Sequence, residues 1–176
     1  TARIVQMTLR HGVHDVSGFG FAVLGKLLIE HLKGWEEANA LAEMAVLLQE
    51  RMQHGFSSAP TMYTTHNFIL PWTQPFESSI TPLHDGLVAG MRSGNVLFGT
   101  WCLVSQYIAL PYFLGTPLKR IIARIPDIIH RLREMKQNEQ VAFLNMQWQM
   151  LVNLTGDSTE TTVLEGAIFD PSMINP

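Results

Sequence analysis

The chain has one cysteine, Cys102, among 176 residues. That excludes a disulfide framework and a Cys-based zinc site, and it suits a reducing compartment, so a cytoplasmic location is expected. Charge is also scarce. Asp, Glu, Lys and Arg make up 15% of the chain, against roughly 25% in an ordinary soluble domain. So little charge cannot cover every face. The expectation is a segment of a longer protein whose neighbours bury part of its surface. The opening at Thr1 without Met and the close on Asp170-Pro171-Ser172-Met173-Ile174-Asn175-Pro176 fit that expectation.

Motifs of familiar chemistry are missing too. There is no Gly-rich phosphate loop, no Gly-x-Ser-x-Gly elbow and no His-Glu-x-x-His. No cofactor is expected. A net charge of −3 argues against a general nucleic-acid binder. Period-two alternation is nearly absent, so strands are not expected.

What remains is apolar and helical. Hydrophobic residues make up 47%, enough for a sizeable core. Their spacing predicts about eight helices of an all-α fold. The first runs from Arg3 to about His11. The second carries Phe21, Leu24, Gly25, Leu28 and Leu32, with Asp15 or Ser17 as its cap and Lys33-Gly34 as its stop. The third opens at Trp35-Glu36-Glu37-Ala38 and ends at His54-Gly55. A fourth segment covers Thr61 to Trp72. The fifth, Ser78/Ser79 to Ser93, sets Gly86, Gly90 and Gly94 four apart. Such a row either admits a second backbone or is merely tolerated. The sixth, Val96 to about Leu114, is apolar on most sides. No charge lies between Arg92 and Lys119, and the run is long enough for a bilayer. Asn95, Gly99, Ser105, Gln106 and Pro111 interrupt it, which favours a buried core helix over membrane insertion. The seventh, Leu118 to Lys136, contains Pro126 and should kink or split there, with Thr116 as cap and Pro117 at its first position. The eighth, about Glu139 to Leu154, is expected to be buried on two faces.

Short connections make sequential helices antiparallel neighbours. Helices that seek burial on two sides suit stacked helical hairpins. The domain reading is one helical-repeat domain over 1–155 and a C-terminal tail or linker over 156–176. Trp35-Glu36-Glu37-Ala38 with Ala45 falls into the order of a tetratricopeptide repeat, and Leu24-Gly25 resembles its Leu-Gly pair. The expected arrangement is therefore antiparallel hairpins stacked as a tetratricopeptide-like superhelix.

A broader pattern comprises Leu9-Arg10-His11-Gly12 followed by Ser17 through Phe21 and Gly25. To it belong Pro82-Leu83-His84-Asp85-Gly86-Leu87 with Gly90 and Gly94-Asn95, and Tyr112-Phe113-Leu114-Gly115. Together these resemble the helical region of large multidomain signalling kinases. Those proteins join a serine/threonine kinase-like module, a STAND-type ATPase, the helical region, and a GAF sensor with a histidine kinase. The resemblance implies a non-catalytic regulatory segment that relays signals between the ATPase and histidine-kinase modules of an ATP-dependent parent. None of the kinases' catalytic motifs has a counterpart here, so no enzymatic residue is assigned to this segment.

Candidate functional residues follow. The seventh helix holds Lys119, Arg120, Arg124, Arg131, Arg133 and Lys136, half of the twelve basic residues. Arg120, Arg124 and Arg131 are read as a docking strip for an acidic partner or a neighbouring domain of the parent chain, with a solvated outer face as the simpler account. Self-association is left open. Trp72, Phe76, Trp101, Tyr107 and Tyr112 could line a ligand pocket or simply pack a core, which gives a small-molecule-sensing domain as the alternative function. His11, His14 and Asp15 could bind a metal, but Gly12 breaks the helix that would align them, and no metal site is assigned. Glu36 and Glu37 point about 100° apart and complement the helix dipole rather than converge on one atom. His66, His84 and His130 read as core or edge residues, and Cys102 as a small hydrophobe.

Overall fold

A computed structural model describes residues 1–52, 55–157 and 161–170, and it is all-α, with no strand among those residues. The helices are α1 (Ala2–His11), α2 (Ser17–Leu32), α3 (Trp35–Arg51), α4 (Ser58–Phe68), α5 (Ile80–Ser93), α6 (Val96–Val104), α7 (Leu110–Phe113), α8 (Leu118–Ile122), α9 (Ile125–Glu134) and α10 (Asn138–Thr155). Two 3-10 turns, Leu70–Trp72 and Phe76–Ser79, lie between α4 and α5, and a π turn, Ser105–Ala109, joins α6 to α7. With α6–α7 counted as one interrupted helix and α8–α9 as one split helix, the expected eight are present. The chain divides into two compact units, Thr1–Gln106 and Tyr107–Pro176, within the stretch that the sequence reads as one helical domain.

The first unit is built on close helix pairs. α2 and α3 are antiparallel: Gly18 faces Ala45 and Gln49, whereas Gly25 faces Ala38 and Leu41. A Cβ on Gly18 would lie 2.9 Å from the Ala45 carbonyl oxygen, and one on Gly25 3.1 Å from that of Ala38. Both pairs are seven residues apart, two turns on one face, so small residues oppose small residues along a seam. Apolar residues flank it. Phe21, Ala22, Ala45 and Leu48 pack with Val5 and Leu41, and Ala38, Ala42, Ile69 and Leu70 pack with Leu28, Ile29 and Phe68.

α5 and α6 repeat the device. A Cβ on Gly90 would stand 2.6 Å from the Gly99 Cα, and one on Gly86 would stand 2.8 Å from Cys102 Sγ and 3.0 Å from Met62 Cβ. The row of glycines is therefore a close approach at Gly86 and Gly90. Gly94 does something else: it ends α5 in the left-handed conformation, φ 81°, which a residue without Cβ adopts freely.

α4 touches α2, α3, α5 and α6, yet it carries Thr61, Thr64, Thr65 and His66 buried. Thr61 donates to the Ser57 carbonyl at 2.7 Å and Thr65 to that of Thr61 at 2.9 Å. Hydroxyls satisfied by their own helix can enter the interior without a distant partner.

In the second unit α10 packs on α8 and α9. Ile121, Ile125, Ile128, Ile129 and Leu132 supply one wall, and Val141, Leu144 and Leu151 the other. Residues 161–170 fold back on α10. Gln149 Nε2 donates to Asn153 Oδ1 at 2.9 Å, Asn153 Nδ2 to the Val163 carbonyl at 2.7 Å, and Ile168 N–H to Gln149 Oε1 at 3.3 Å. Phe169 is buried beneath this segment.

Several boundaries differ from the sequence reading. Ser17 does not cap α2 but begins it: its hydroxyl accepts from His14 N–H at 2.9 Å and bonds Thr8 at 2.7 Å. The left-handed residue after α2 is Lys33, φ 53°, not Gly34, and Gly34 N–H closes the turn on the Leu28 carbonyl at 3.3 Å. Pro117, rather than Thr116, is the cap before α8. Pro126 splits the long seventh helix by starting α9 in its first turn. α10 is buried on two sides, as expected, but the second is formed by Gln149 and Asn153 under residues 161–170, whereas Phe143 is exposed and Met146 and Met150 only partly buried. The stop at His54 and the tail at 158–160 and 171–176 lie outside the described residues.

The stretch Val96–Phe113 is long and apolar enough to cross a membrane, with a mean hydropathy of 1.3, and 44% of it is buried. It is the one such stretch among the described residues. A core helix passes the same test.

The Gly90–Gly99 contact leaves no flexible atom to yield. Gly90→Ala should gain about 1 kcal/mol in helix propensity but lose about 1–3 kcal/mol or more to overpacking. A lower urea midpoint is expected for this variant, and a raised midpoint would contradict the contact.

Candidate functional site

Arg120 sits on α8, Arg131 on α9, and Arg124 is the N-cap residue of α9. α9 is amphipathic because its isoleucines and Leu132 recur at helical spacing and face α10. Arg124, Asp127, Ile128 and Arg131 follow at i, i+3, i+4 and i+7, so they share one side of the helix. With Tyr107 and His130 they line a cleft of about 570 Å³. Seven residues at 1.5 Å each set the two arginine backbones about 10 Å apart along the axis. Asp127 lies between them, giving a positive–negative–positive order. Neither arginine has a carboxylate within ion-pair distance among the described residues. Arg120 stands exposed on α8. His130 pairs with Glu134 at 3.4 Å on the exposed surface.

The five aromatic residues are placed apart in several local groups. Trp72 is two-thirds exposed and tilts against Trp35 at 5.0 Å. Trp101 is half-buried and packs on Tyr63 at 5.9 Å, and Tyr63 in turn meets Phe98 and Phe68. Phe76 is half-buried in the turn before α5. Tyr107 lines the arginine cleft, and Tyr112 lines a separate apolar cavity of about 230 Å³. Trp101 is therefore core packing, Trp72 is a surface aromatic, and Tyr107 and Tyr112 border separate cavities.

Titratable groups inside the first unit are held neutral. Burial pushes the Cys102 thiol up to about 12, so it stays protonated and packs between α5 and α4, 3.8 Å from the Ala59 carbonyl. Burial and the nearby Cys102 push the Tyr63 phenol to about 12. Burial lowers His66 to about 4. One of its ring nitrogens meets Ser79 Oγ at 3.3 Å and the other, Nε2, has no partner. His11 and His14 are exposed at the α1–α2 turn, and Asp15 turns elsewhere: its Oδ2 accepts from Ser57 N–H at 3.2 Å, at the start of α4. Among the described residues no group of three or more His, Cys, Asp or Glu could hold a metal ion.

Sequence reasoning missed the buried amides. Gln49 bonds the Asp15 carbonyl at 3.0 Å, Gln149 and Asn153 clamp residues 161–170, and Gln147 has a buried carbonyl oxygen with no partner. The available signal was a polar residue recurring every four positions, Gln149 and Asn153, on an otherwise apolar face.

His66 makes stability depend on pH. The unfolded imidazole binds a proton below about 6.5, whereas the folded one does so only near 4. Folding is therefore favoured above 6.5 and loses up to about 3 kcal/mol as pH falls to 4. His66→Gln should flatten that fall, measured as the urea midpoint at pH 7 and pH 4.5. An equally steep fall in the variant would contradict the assignment. No family model, no curated protein and no solved structure matches the chain.

Proposed function

We propose that the chain is a non-catalytic helical interaction and regulatory domain that receives an acidic partner surface along α8 and α9. The observation that carries this reading is the cleft in which Arg124 and Arg131 stand unpaired beside Tyr107. Exposed ion pairs contribute only about 0.2–1 kcal/mol each. A partner must therefore engage several charges at once, and the fixed spacing on one helix supplies register and attraction over distance.

A second support is the apolar surface. Leu9, Leu32, Phe56, Trp72, Phe113 and Leu154 are each more than half exposed. With so little charge elsewhere, such side chains suit cover by neighbouring protein. The stacked, tetratricopeptide-like arrangement, the cytoplasmic location and the absence of membrane insertion belong to the same proposal. So does the relay between ATPase and histidine-kinase modules, which rests on the residue resemblance and requires two arrangements of different energy. Cys102 and His66, neutral and buried, serve packing in this reading.

A peptide alternating Glu with Ala, titrated calorimetrically at low and high salt, tests the docking face. Binding should weaken with salt. The double variant Arg124→Glu and Arg131→Glu should bind at least about tenfold more weakly, with its circular dichroism unchanged. A Gln–Ala peptide should not bind. Equal affinity for the native protein and the double variant would contradict the proposal.

A further inference from the structure

We propose that the acidic partner of the arginine cleft is a second copy of this chain, which presents Glu43, Leu47 and Glu50 of its α3. This pairing rests on the docking reading above and names the occupant of that cleft.

Charge is segregated along the sequence. Six of the twelve basic residues lie between Lys119 and Lys136, whereas α3 carries Glu36, Glu37, Glu43 and Glu50, four of the fifteen acidic residues. The one cation of α3, Arg51, follows Glu50 and points about 100° away from it. The seam with α2 decides which face of α3 is free. Ala38, Ala42 and Ala45 are buried on the seam side, and Glu36, Ala40, Glu43, Leu47 and Glu50 are left exposed. Glu36, Glu43 and Glu50 recur every seven residues, so they form one acidic stripe. Glu43 accepts from Asn39 Nδ2 at 2.9 Å, which steadies the carboxylate and leaves its charge uncompensated. Among the described residues no cation lies within ion-pair distance of the three glutamates.

The two faces match in spacing. Arg124 and Arg131 are seven residues apart, as are Glu43 and Glu50, so each pair spans about 10 Å along its helix. Between the arginines Ile128 lies at i+4, and with Tyr107 it lines the cleft of about 570 Å³. Between the glutamates Leu47 lies at i+4 and is 58% exposed. Laid side by side in the same direction, α3 of one copy and α9 of the other set Glu43 at Arg124, Leu47 at Ile128 and Glu50 at Arg131. Asp127 then meets Val46, so no like charges oppose. The reverse direction presses Leu47 onto Asp127 and covers a carboxylate without a partner, which costs free energy.

Leu47 adds what charge alone lacks. Two exposed ion pairs hold little, and a leucine entering beside Tyr107 removes apolar surface from water. Each copy offers one stripe and one cleft, so the contact is heterologous and joins copies head to tail.

Sedimentation velocity on the whole chain, up to about 1 mM to cover weak contacts, tests the pairing. The mean mass should rise with concentration at low salt and fall back at high salt. Glu43→Gln with Glu50→Gln removes the stripe and keeps the cleft. Arg124→Gln with Arg131→Gln does the converse. Each double variant alone should associate about fivefold more weakly or less still, with unchanged circular dichroism. An equimolar mixture of the two should form a 1:1 pair that does not grow, because one intact stripe and one intact cleft remain. Leu47→Ala, which leaves every charge in place, should weaken association severalfold. If a variant fails to fold, the salt and concentration series on the native chain still decides. A native chain that stays monomeric at low salt, association indifferent to salt, or a mixture that does not pair would each overturn the proposal. A monomeric chain that still binds the Glu–Ala peptide removes this pairing and leaves the docking reading; a chain that binds neither removes both.

Discussion

The first unit depends on helix backbones being allowed to touch. At Gly18 and Gly25 against Ala45 and Ala38, and at Gly86 and Gly90 against Cys102 and Gly99, no larger side chain fits between the axes. Interior glycines weaken an isolated helix by about 1 kcal/mol each. They persist where the gain is close packing over a full helix face, and dispersion summed over many atom pairs exceeds the propensity loss. The same constraint fixes direction and register. Sliding α3 by one residue along α2 would set Glu37 and Met44, or Asn39 and Val46, against the glycines, which is why the small pairs match at two positions rather than one.

A polar interior follows from that closeness. Helices this near leave little room for long side chains at their centre, so α4 is lined by threonines, Ser58, Ala59 and Pro60. Its hydroxyls bond back to their own helix, and Asp15 and Asn95 reach backbone groups near its start: Ser57 N–H and the Phe56 carbonyl. Burial then holds His66, Cys102 and Tyr63 neutral. The second unit is organised differently. There a conventional amphipathic helix, α9, packs on α10, and polar amides rather than small residues secure the C-terminal segment.

Much of the fold was legible from periodicity and punctuation. The stops at Gly94 and Gly156, the split at Pro126 and the stripe of α9 each rest on a local rule, and local rules suffice where one residue decides the backbone. The role of Gly86 and Gly90 was half legible, since a row of glycines announces either a close approach or indifference, and only the facing residue decides. α4 was placed three residues late because its buried face is polar and carries no apolar stripe. The π turn was not foreseen, since Pro111 predicts a disturbance but not which register absorbs it. For the site, the arginines of α9 were legible as a strip, and their grouping around a cleft with Tyr107 was not. The five aromatics looked alike in sequence and differ in space, because exposure depends on tertiary partners such as Trp35 and Tyr63.

The functional reading combines a helical frame with one receptive feature, the charged cleft lined by Arg124 and Arg131. The frame is its foundation. Native-state hydrogen exchange measures it most directly. The amides of Ala42, Ala45, Gly90, Gly99 and Cys102 should be the slowest in the first unit, exchanging only with global unfolding. Exchange at these amides as fast as in α1 would contradict an interior held together by contact between helix backbones.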